Sequence, residues 1–279
     1  MDQGALPLID ELNAAVQAAQ ALPRVRFESN LGEVAENWIR KKHAGGTVHE
    51  PATLAAFLAI RNRYQCRSIY DVGALFGYFS LLSQGLFPGA EITAFEMHPG
   101  AIDTLRTNVG PTITCVHAAV SDKAEKAVMF WLSGFNIYEK PEAGWDALEA
   151  VPGALKERGF QNRGRGFATV DFLTLDDYSA AHKPPDLIKI DVEGYQAKAI
   201  RGAQELLRTA RPAVIIELHD PPKLERFGIT NKTTVQPLFD AGYRGFWCGN
   251  HRDKDAVFEP LADMDARHEK LSLAVFVPK

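Results

Sequence analysis

From residue 67 onward, short apolar runs alternate with segments of helical period, and no other feature of the chain restricts its fold as strongly. Ser68–Val72, Glu91–Phe95, Ile113–His117, Leu187–Ile190 and Val214–Leu218 read as strands, and 78–86, 99–108, 195–209 and 233–241 read as helices. A β-α-β-α order of this kind builds a parallel, doubly wound sheet with right-handed crossovers. After Gly242, runs near Gly245–Cys248 and Leu271–Val277 lie close enough in sequence to form a terminal antiparallel hairpin.

The first strand is preceded by helices. Residues 5–22 place Leu8, Leu12, Ala15, Val16 and Ala19 on one face, with Pro7 suited to the first turn. A second helix is expected over 33–43, burying Val34, Trp38 and Ile39, before Gly45-Gly46 breaks the chain. A third starts at Pro51 and carries Leu54, Phe57, Leu58 and Tyr64. The expected organisation is an N-terminal helical extension over 1–47 and one α/β domain over 48–279, within the usual size of a single core. The stretch 131–166 interrupts the alternation. It mixes Trp131, Phe135, Tyr138 and Trp145 with Lys140, Lys156, Arg158, Arg163 and Arg165, and is too long for a plain connection. It reads as an inserted substrate-side loop, or else as a surface excursion with its own small core.

Composition excludes several classes. A net charge of −4 supplies no basic field for nucleic acid. The three cysteines, Cys66, Cys115 and Cys248, are far apart and form no C-x-x-C pair, which argues against a disulfide framework or zinc site and fits a reducing cytoplasm. No apolar run approaches the roughly 20 residues that span a bilayer, and the N-terminus has no signal-peptide pattern.

The strongest local signal is Ile69-Tyr70-Asp71-Val72-Gly73-Ala74-Leu75-Phe76-Gly77-Tyr78, an apolar strand running into a small-residue turn and a helix. Gly73 lets the backbone approach a ligand, Gly77 lets the helix pack against the strand, and the helix N-terminus presents free N–H groups. Leu75 stands where the second glycine of a dinucleotide fingerprint would be, which argues against NAD. A zwitterionic amino-acid tail would instead use a carboxylate such as Asp71. The second strand ends at Phe95-Glu96-Met97, 25 positions after Asp71, where Glu96 can accept both ribose hydroxyls of a nucleoside or simply be a solvated strand end. The third strand leads into Ala118-Ala119-Val120-Ser121-Asp122, where Asp122 could take an adenine amine or cap a turn.

Two later strands carry charge to the same edge. In Asp186-Leu187-Ile188-Lys189-Ile190-Asp191-Val192-Glu193-Gly194-Tyr195, alternation puts Lys189 and Asp191 on one face. These charges are costly to bury without a purpose, and open α/β sheets bind ligands at the carboxyl ends of their strands. The fifth strand ends in Glu217-Leu218-His219, where His219 could be a general base or a satisfied surface histidine. Asp191, Glu217 and His219 are also a possible donor set for a divalent ion. Glu50, before the Pro51 helix, is either part of the site or a partner of the helix dipole.

Taken in order, the run Asp71-Val72-Gly73-Ala74 through Gly77-Tyr78-Phe79-Ser80 resembles the first motif of FkbM-type methyltransferases. So do Phe95-Glu96, Ala119 through Asp122, Leu187 through Tyr195, Gly202-Ala203, Arg211-Pro212 and Ile216-Glu217, while His49-Glu50-Pro51 resembles an element that often precedes that first motif. The likeness spans roughly residues 48–220, and it is the ordered set that is specific. Leu75 stands where the family often has Asn, and Gln196 where it often has Glu. The resemblance implies a class I Rossmann-like fold with a seven-stranded, mostly parallel sheet and S-adenosylmethionine as methyl donor. It also implies transfer to a hydroxyl, often of a sugar or natural product. On this reading Glu50, Asp71, Gly73, Ala74, Gly77, Tyr78, Glu96, Met97, Asp122 and Asp191 form the cofactor side. In-line displacement would need alignment and removal of one proton, with His219 or Asp191 as base and Lys189 orienting charge. Two other classes stay open: an NAD or nucleotide-sugar oxidoreductase, which the missing glycine argues against, and a non-catalytic cofactor-binding module, which the intact charged clusters argue against. The acceptor, the oligomeric state and any metal are not specified by the sequence.

Overall fold

The computed structural model describes residues 5–21, 49–131, 137–139 and 166–279. The helix expected over 33–43 lies outside these residues, as does most of 131–166. In chain order, α1 (Ala5–Ala19) and α2 (Pro51–Arg63) precede β1 (Ser68–Val72), α3 (Tyr78–Leu86), β2 (Glu91–Phe95), α4 (Pro99–Val109) and β3 (Thr114–Val116). Then come β4 (Ala119–Val120), β5 (Glu125–Trp131), β6 (Ile137–Glu139), β7 (Gly166–Leu173), α5 (Leu175–Ala181), β8 (Leu187–Ile190), α6 (Gln196–Arg201) and α7 (Gln204–Thr209). The chain ends with β9 (Ala213–Leu218), α8 (Pro221–Leu224), α9 (Asn231–Asp240), β10 (Tyr243–Cys248), β11 (Glu259–Leu261) and β12 (Ser272–Pro278).

The central sheet runs β11-β10-β12-β9-β8-β1-β2-β3. The five strands from β9 to β3 are parallel, and β12 and β10 add antiparallel pairings at the far side. The expected doubly wound sheet with an antiparallel end is present. Among the described residues it has eight strands where seven were expected, because the short β11 pairs with the outer edge of β10. Strands β1, β8 and β9 are buried along their whole length, which is why they read as continuous apolar runs.

Two further departures have local causes. The helix expected over 195–209 is two helices, α6 and α7. They part at Gly202, where an added Cβ would lie 1.9 Å from the carbonyl oxygen of Ser121. The Asp176 carboxylate on α5 then caps α7 by accepting from Glu205 N at 3.1 Å and Leu206 N at 2.8 Å. The second departure is a small sheet in the order β4-β7-β5-β6, in which β5 and β7 pair antiparallel. It stands against the carboxyl edge through Met129, Val170 and Phe172, which pack with Tyr195.

On the other face of the main sheet, α1 lays Leu8, Leu12, Val16 and Ala19 into the same apolar cluster as Ala52, Phe57 and Ile60 of α2. Each large apolar side chain so buried contributes about 1.5–3 kcal/mol. Among the described residues no helix is long and apolar enough to cross a membrane.

Candidate active site

The glycine turn is built by left-handed backbone at Gly73 (φ 80°), Leu75 (φ 51°) and Gly77 (φ 90°). Gly73 N and Ala74 N donate to Phe95 O at 2.9 and 3.0 Å, which ties the turn to the tip of β2. A Cβ on Gly73 would stand 1.8 Å from the Asp191 carbonyl oxygen, so this glycine lets the tips of β1 and β8 meet. Gly77 packs α3 against α4 rather than against the strand: a Cβ there would meet Val109 Cγ1 at 2.6 Å.

Glu96 is nearly buried, and its carboxylate joins two loops. Oε2 accepts from Leu75 N at 2.8 Å and Oε1 from His98 N at 2.7 Å. Burial pushes its pKa up, against the lowering effect of the His98 and Leu75 amides. A cleft of about 910 Å³, counting the part open to solvent, lies beyond it. Val72, Phe95, Ala119 and Met129 supply an apolar wall, while Glu96, Asp191 and Glu193 are its acids.

Behind Asp191 lies a buried charged cluster. The Lys189 ammonium stands 3.4 Å from Asp191 Oδ2 and 3.6 Å from Asp71 Oδ1, and 4.6 Å from the centre of the Phe79 ring. Ser80 Oγ donates to Asp71 Oδ2 at 2.6 Å. Burial works to neutralise Lys189, but the carboxylates of Asp191, Asp71, Glu50 and Glu217 outweigh it and hold the ammonium above the ordinary lysine range. Burial would neutralise Asp191 too, by raising its pKa, but Lys189 and His219 overcome it and keep the carboxyl well below its usual range.

Glu217 Oε1 accepts from Arg252 Nη2 at 2.8 Å and lies in hydrogen-bond contact with His251 Nε2 at 3.0 Å. Burial and the neighbouring Asp191 and Glu50 push the Glu217 carboxyl well up. His251 is pushed down to about 4, chiefly by burial. Glu50 is held by Thr53 Oγ1 at 3.2 Å and Arg252 Nε at 3.6 Å. Glu193 pairs with Lys223. Burial alone would raise its carboxyl, yet the hydrogen bond and charge of His219, with Lys223, bring it to about 2. His219 Nε2 faces Glu193 Oε2 at 3.3 Å and Glu217 Oε2 at 3.4 Å. Burial disfavours its charged form, while those two carboxylates favour it and raise its pKa above the ordinary value.

Of the residues that the sequence nominates, Gly73, Glu96, Met97 and Asp191 line the cleft. Asp71, Lys189, Glu50 and His219 come together with Asp191 in the charged cluster behind it. Ala74 shapes the turn, and Tyr78 packs edge-on to His49 and Phe79. Asp122 turns away from the cleft to Arg201 Nε at 3.0 Å. Beside it the cleft wall is Ala118, Ala119 and Val120. Glu50 and Glu193, with φ of 53° and 49°, are left-handed non-glycine residues like Leu75, and strained backbone of this kind concentrates at sites.

Sequence reasoning missed His251, Arg252, Lys223, Met129 and Phe227. A signal existed for the first two. β12 is antiparallel to β9 and β10 is antiparallel to β12, so β10 runs parallel to β9 and the residues after it fall on the ligand edge.

Among the described residues, two sets, Glu50–Glu217–His251 and Asp191–Glu217–His219, bring ligand-type atoms within 4.8 Å of one another. Neither fits a divalent ion. Arg252 already bonds Glu217 and pairs with Glu50 in the first. In the second, the amide nitrogen of Gln196 faces His219 Nδ1, whereas a metal-bound imidazole donates from that nitrogen.

A parallel sheet of this order, with a glycine turn on its first strand, a buried acid on its second and the charged tip of β8 beside them, defines a class I Rossmann-like methyltransferase. The family follows from the sequence: the model of the methyltransferase FkbM domain matches residues 71–244, and the chain belongs to that family. Among solved structures, the methyltransferase FkbM of Methylobacillus flagellatus KT is similar at 13% identity and TM-score 0.43, over 99% of this chain and 61% of that one. An O-methyltransferase from Bacillus cereus in complex with SAH is similar at 14% identity and TM-score 0.42, covering 97% of this chain and 100% of that one. The O-methyltransferase TomG from Streptomyces achromogenes, in complex with SAM, is similar at 12% identity and TM-score 0.42, over 100% of each chain. No curated protein matches the chain significantly.

Proposed function

We propose that this protein transfers a methyl group from S-adenosylmethionine to a hydroxyl of a small molecule, sugar or natural product. The observation that carries the proposal is the cleft itself, which joins an apolar wall to a buried acid at the tip of β2 and a second acid at the tip of β8. The bound donor would supply an electrophilic methyl group on a positively charged sulfur.

The residues divide the remaining work. Two amides occupy part of the Glu96 carboxylate and leave lone pairs for ribose hydroxyls. Val72, Ala119, Val120 and Met129 offer apolar surface to a purine. Asp191, kept ionised by Lys189, accepts the hydrogen bond of the incoming hydroxyl and aims its lone pair. So acidic a carboxyl is a weak base, and its main contribution is alignment; as the O–CH3 bond forms and the S–CH3 bond would break to leave the neutral thioether, the oxygen becomes acidic and its proton passes along the Asp191 hydrogen bond to water. The aromatic and basic content of 131–166 favours a saccharide or anionic acceptor.

The test is a panel of hydroxylated acceptors incubated with methyl-labelled S-adenosylmethionine, alongside calorimetry with S-adenosylhomocysteine and with NAD. Product heavier by one methyl group on oxygen is the expected result. Binding of NAD in place of S-adenosylhomocysteine would overturn the reading. Tight cofactor binding with no labelled product from any acceptor would point to the non-catalytic alternative.

A further inference from the structure

Gln196 opens α6 with its side chain fully enclosed, and it touches the charged cluster from behind. Its Nε2 lies 2.8 Å from the backbone carbonyl oxygen of Glu217 and 2.5 Å from His219 Nδ1. A carbonyl oxygen can only accept, so the amide must turn its nitrogen end toward Glu217. That NH₂ group has two hydrogens. One serves the carbonyl, and the other points at His219 Nδ1, which must therefore present its lone pair. The ring proton is left on Nε2.

The surroundings of His219 act in the same sense. Asn231 Nδ2 donates to the backbone carbonyl of His219 at 2.9 Å and to that of His268 at 3.1 Å, which fixes the strand end on which the ring sits. Nε2 points between Glu193 Oε2 and Glu217 Oε2, and the ionised Glu193 carboxylate can only accept. The charged and titratable groups around the ring are Asp191 and Glu193 after β8, Glu217 on β9, Lys223 on α8 and His251 after β10. The carboxylates among them draw a second proton toward the ring. That proton would have to sit on Nδ1, where the amide N–H already stands.

We infer that Gln196 is a positioning residue that fixes the Nε2–H tautomer of His219, making His219 a proton donor toward Glu193 rather than the group that takes the acceptor's proton. Its catalytic meaning rests on the methyl-transfer reading given above. Glu193 lines the cleft from a left-handed backbone, and its Oε2 is paired with both Lys223 and His219. A fixed donor on Nε2 keeps that carboxylate in one orientation toward the acceptor, and a base at the same nitrogen would release it.

The test is ¹⁵N NMR of the full-length protein labelled on its histidines, at about pH 8, above the ordinary histidine range. The His219 resonances are identified by their loss in His219→Asn. The expected result is an unprotonated Nδ1 and a protonated Nε2 in the wild type. Gln196→Glu, which puts an acceptor on Nδ1, is expected to give a doubly protonated ring and to move the pH profile of turnover. Gln196→Met removes the amide donor. It should lower kcat by about tenfold to a hundredfold with little change in KM, the scale of a mispositioned group. A wild-type ring protonated on Nδ1, or a Gln196→Glu variant with unchanged ring signals, would overturn the inference. Because the ring signals need no acceptor, failure of the wild type to bind S-adenosylhomocysteine would count against the methyl-transfer reading and leave the tautomer to be judged by its own signals.

Discussion

Asp191 separates two regions built on opposite principles. On its open side, the cleft is walled by Val72, Phe95, Ala119 and Met129, and its buried acid Glu96 is satisfied by backbone amides. On its closed side, Glu50, Asp71, Glu217, Lys189 and Arg252 satisfy one another through side chains. A backbone amide remains when a nearby side chain is replaced. A buried charge loses its partner. The open side is therefore expected to answer substitution through ligand affinity, and the closed side through stability.

The largest effect tests that contrast at Lys189. Lys189→Met removes the ammonium that pairs with both Asp71 and Asp191 and leaves the two carboxylates without it. Breaking a buried pair from one side costs about 3–5 kcal/mol. Urea unfolding is the measurement, and a loss below about 1 kcal/mol would mean that the cluster rearranges freely and that the contrast is false.

Glu96 tests the open side. Glu96→Ala is expected to weaken S-adenosylhomocysteine binding by about 1.5–3 kcal/mol, the scale of hydrogen bonds to a charged group. The pH dependence has a definite sign. Burial raises the Glu96 pKa, ribose hydroxyls donate to the ionised form, and affinity should therefore fall as pH drops through that raised pKa. Glu96→Gln should show weaker binding with a flatter pH dependence. Calorimetry over acid to neutral pH reads both, and a wild-type affinity independent of pH would detach Glu96 from the ligand.

The same contrast explains what the sequence made legible. β1, β8 and β9 are buried on both faces and read as apolar runs, and Lys189, Asp191, Glu217 and His219 stood out as charges interrupting them. The second sheet was hidden. β5 and β7 pair across a long chain excursion, and their outward positions carry exposed charges such as Lys126 and Asp171, so each alone resembles a surface segment. His251 and Arg252 were hidden differently. They follow the last parallel-running strand, and only the sheet order brings them to Glu217. Strand identity is a local property, whereas the composition of a charged cluster depends on which strand ends share an edge.

The smallest effect concerns Asp122, where resemblance and geometry part company. The resemblance puts this residue on the adenine loop, yet its carboxylate meets Arg201 Nε at 3.0 Å, in a pair with side chains 28% and 38% exposed. The cleft wall at that level is apolar, from Ala118 to Val120. Solvent screens such a pair, which is worth about 0.2–1 kcal/mol. Asp122→Asn should then shift both stability and S-adenosylhomocysteine affinity by less than about 1 kcal/mol, with the stability change the larger of the two. Paired calorimetry and urea titration of Asp122→Asn and Arg201→Met separate the outcomes. If Asp122→Asn weakens binding more than about tenfold, equivalent to ~1.4 kcal/mol, while Arg201→Met strengthens it, then Arg201 competes with the ligand for the Asp122 carboxylate. In that case the apolar wall is only part of the nucleoside site, and the open side of Asp191 depends on a side-chain charge after all.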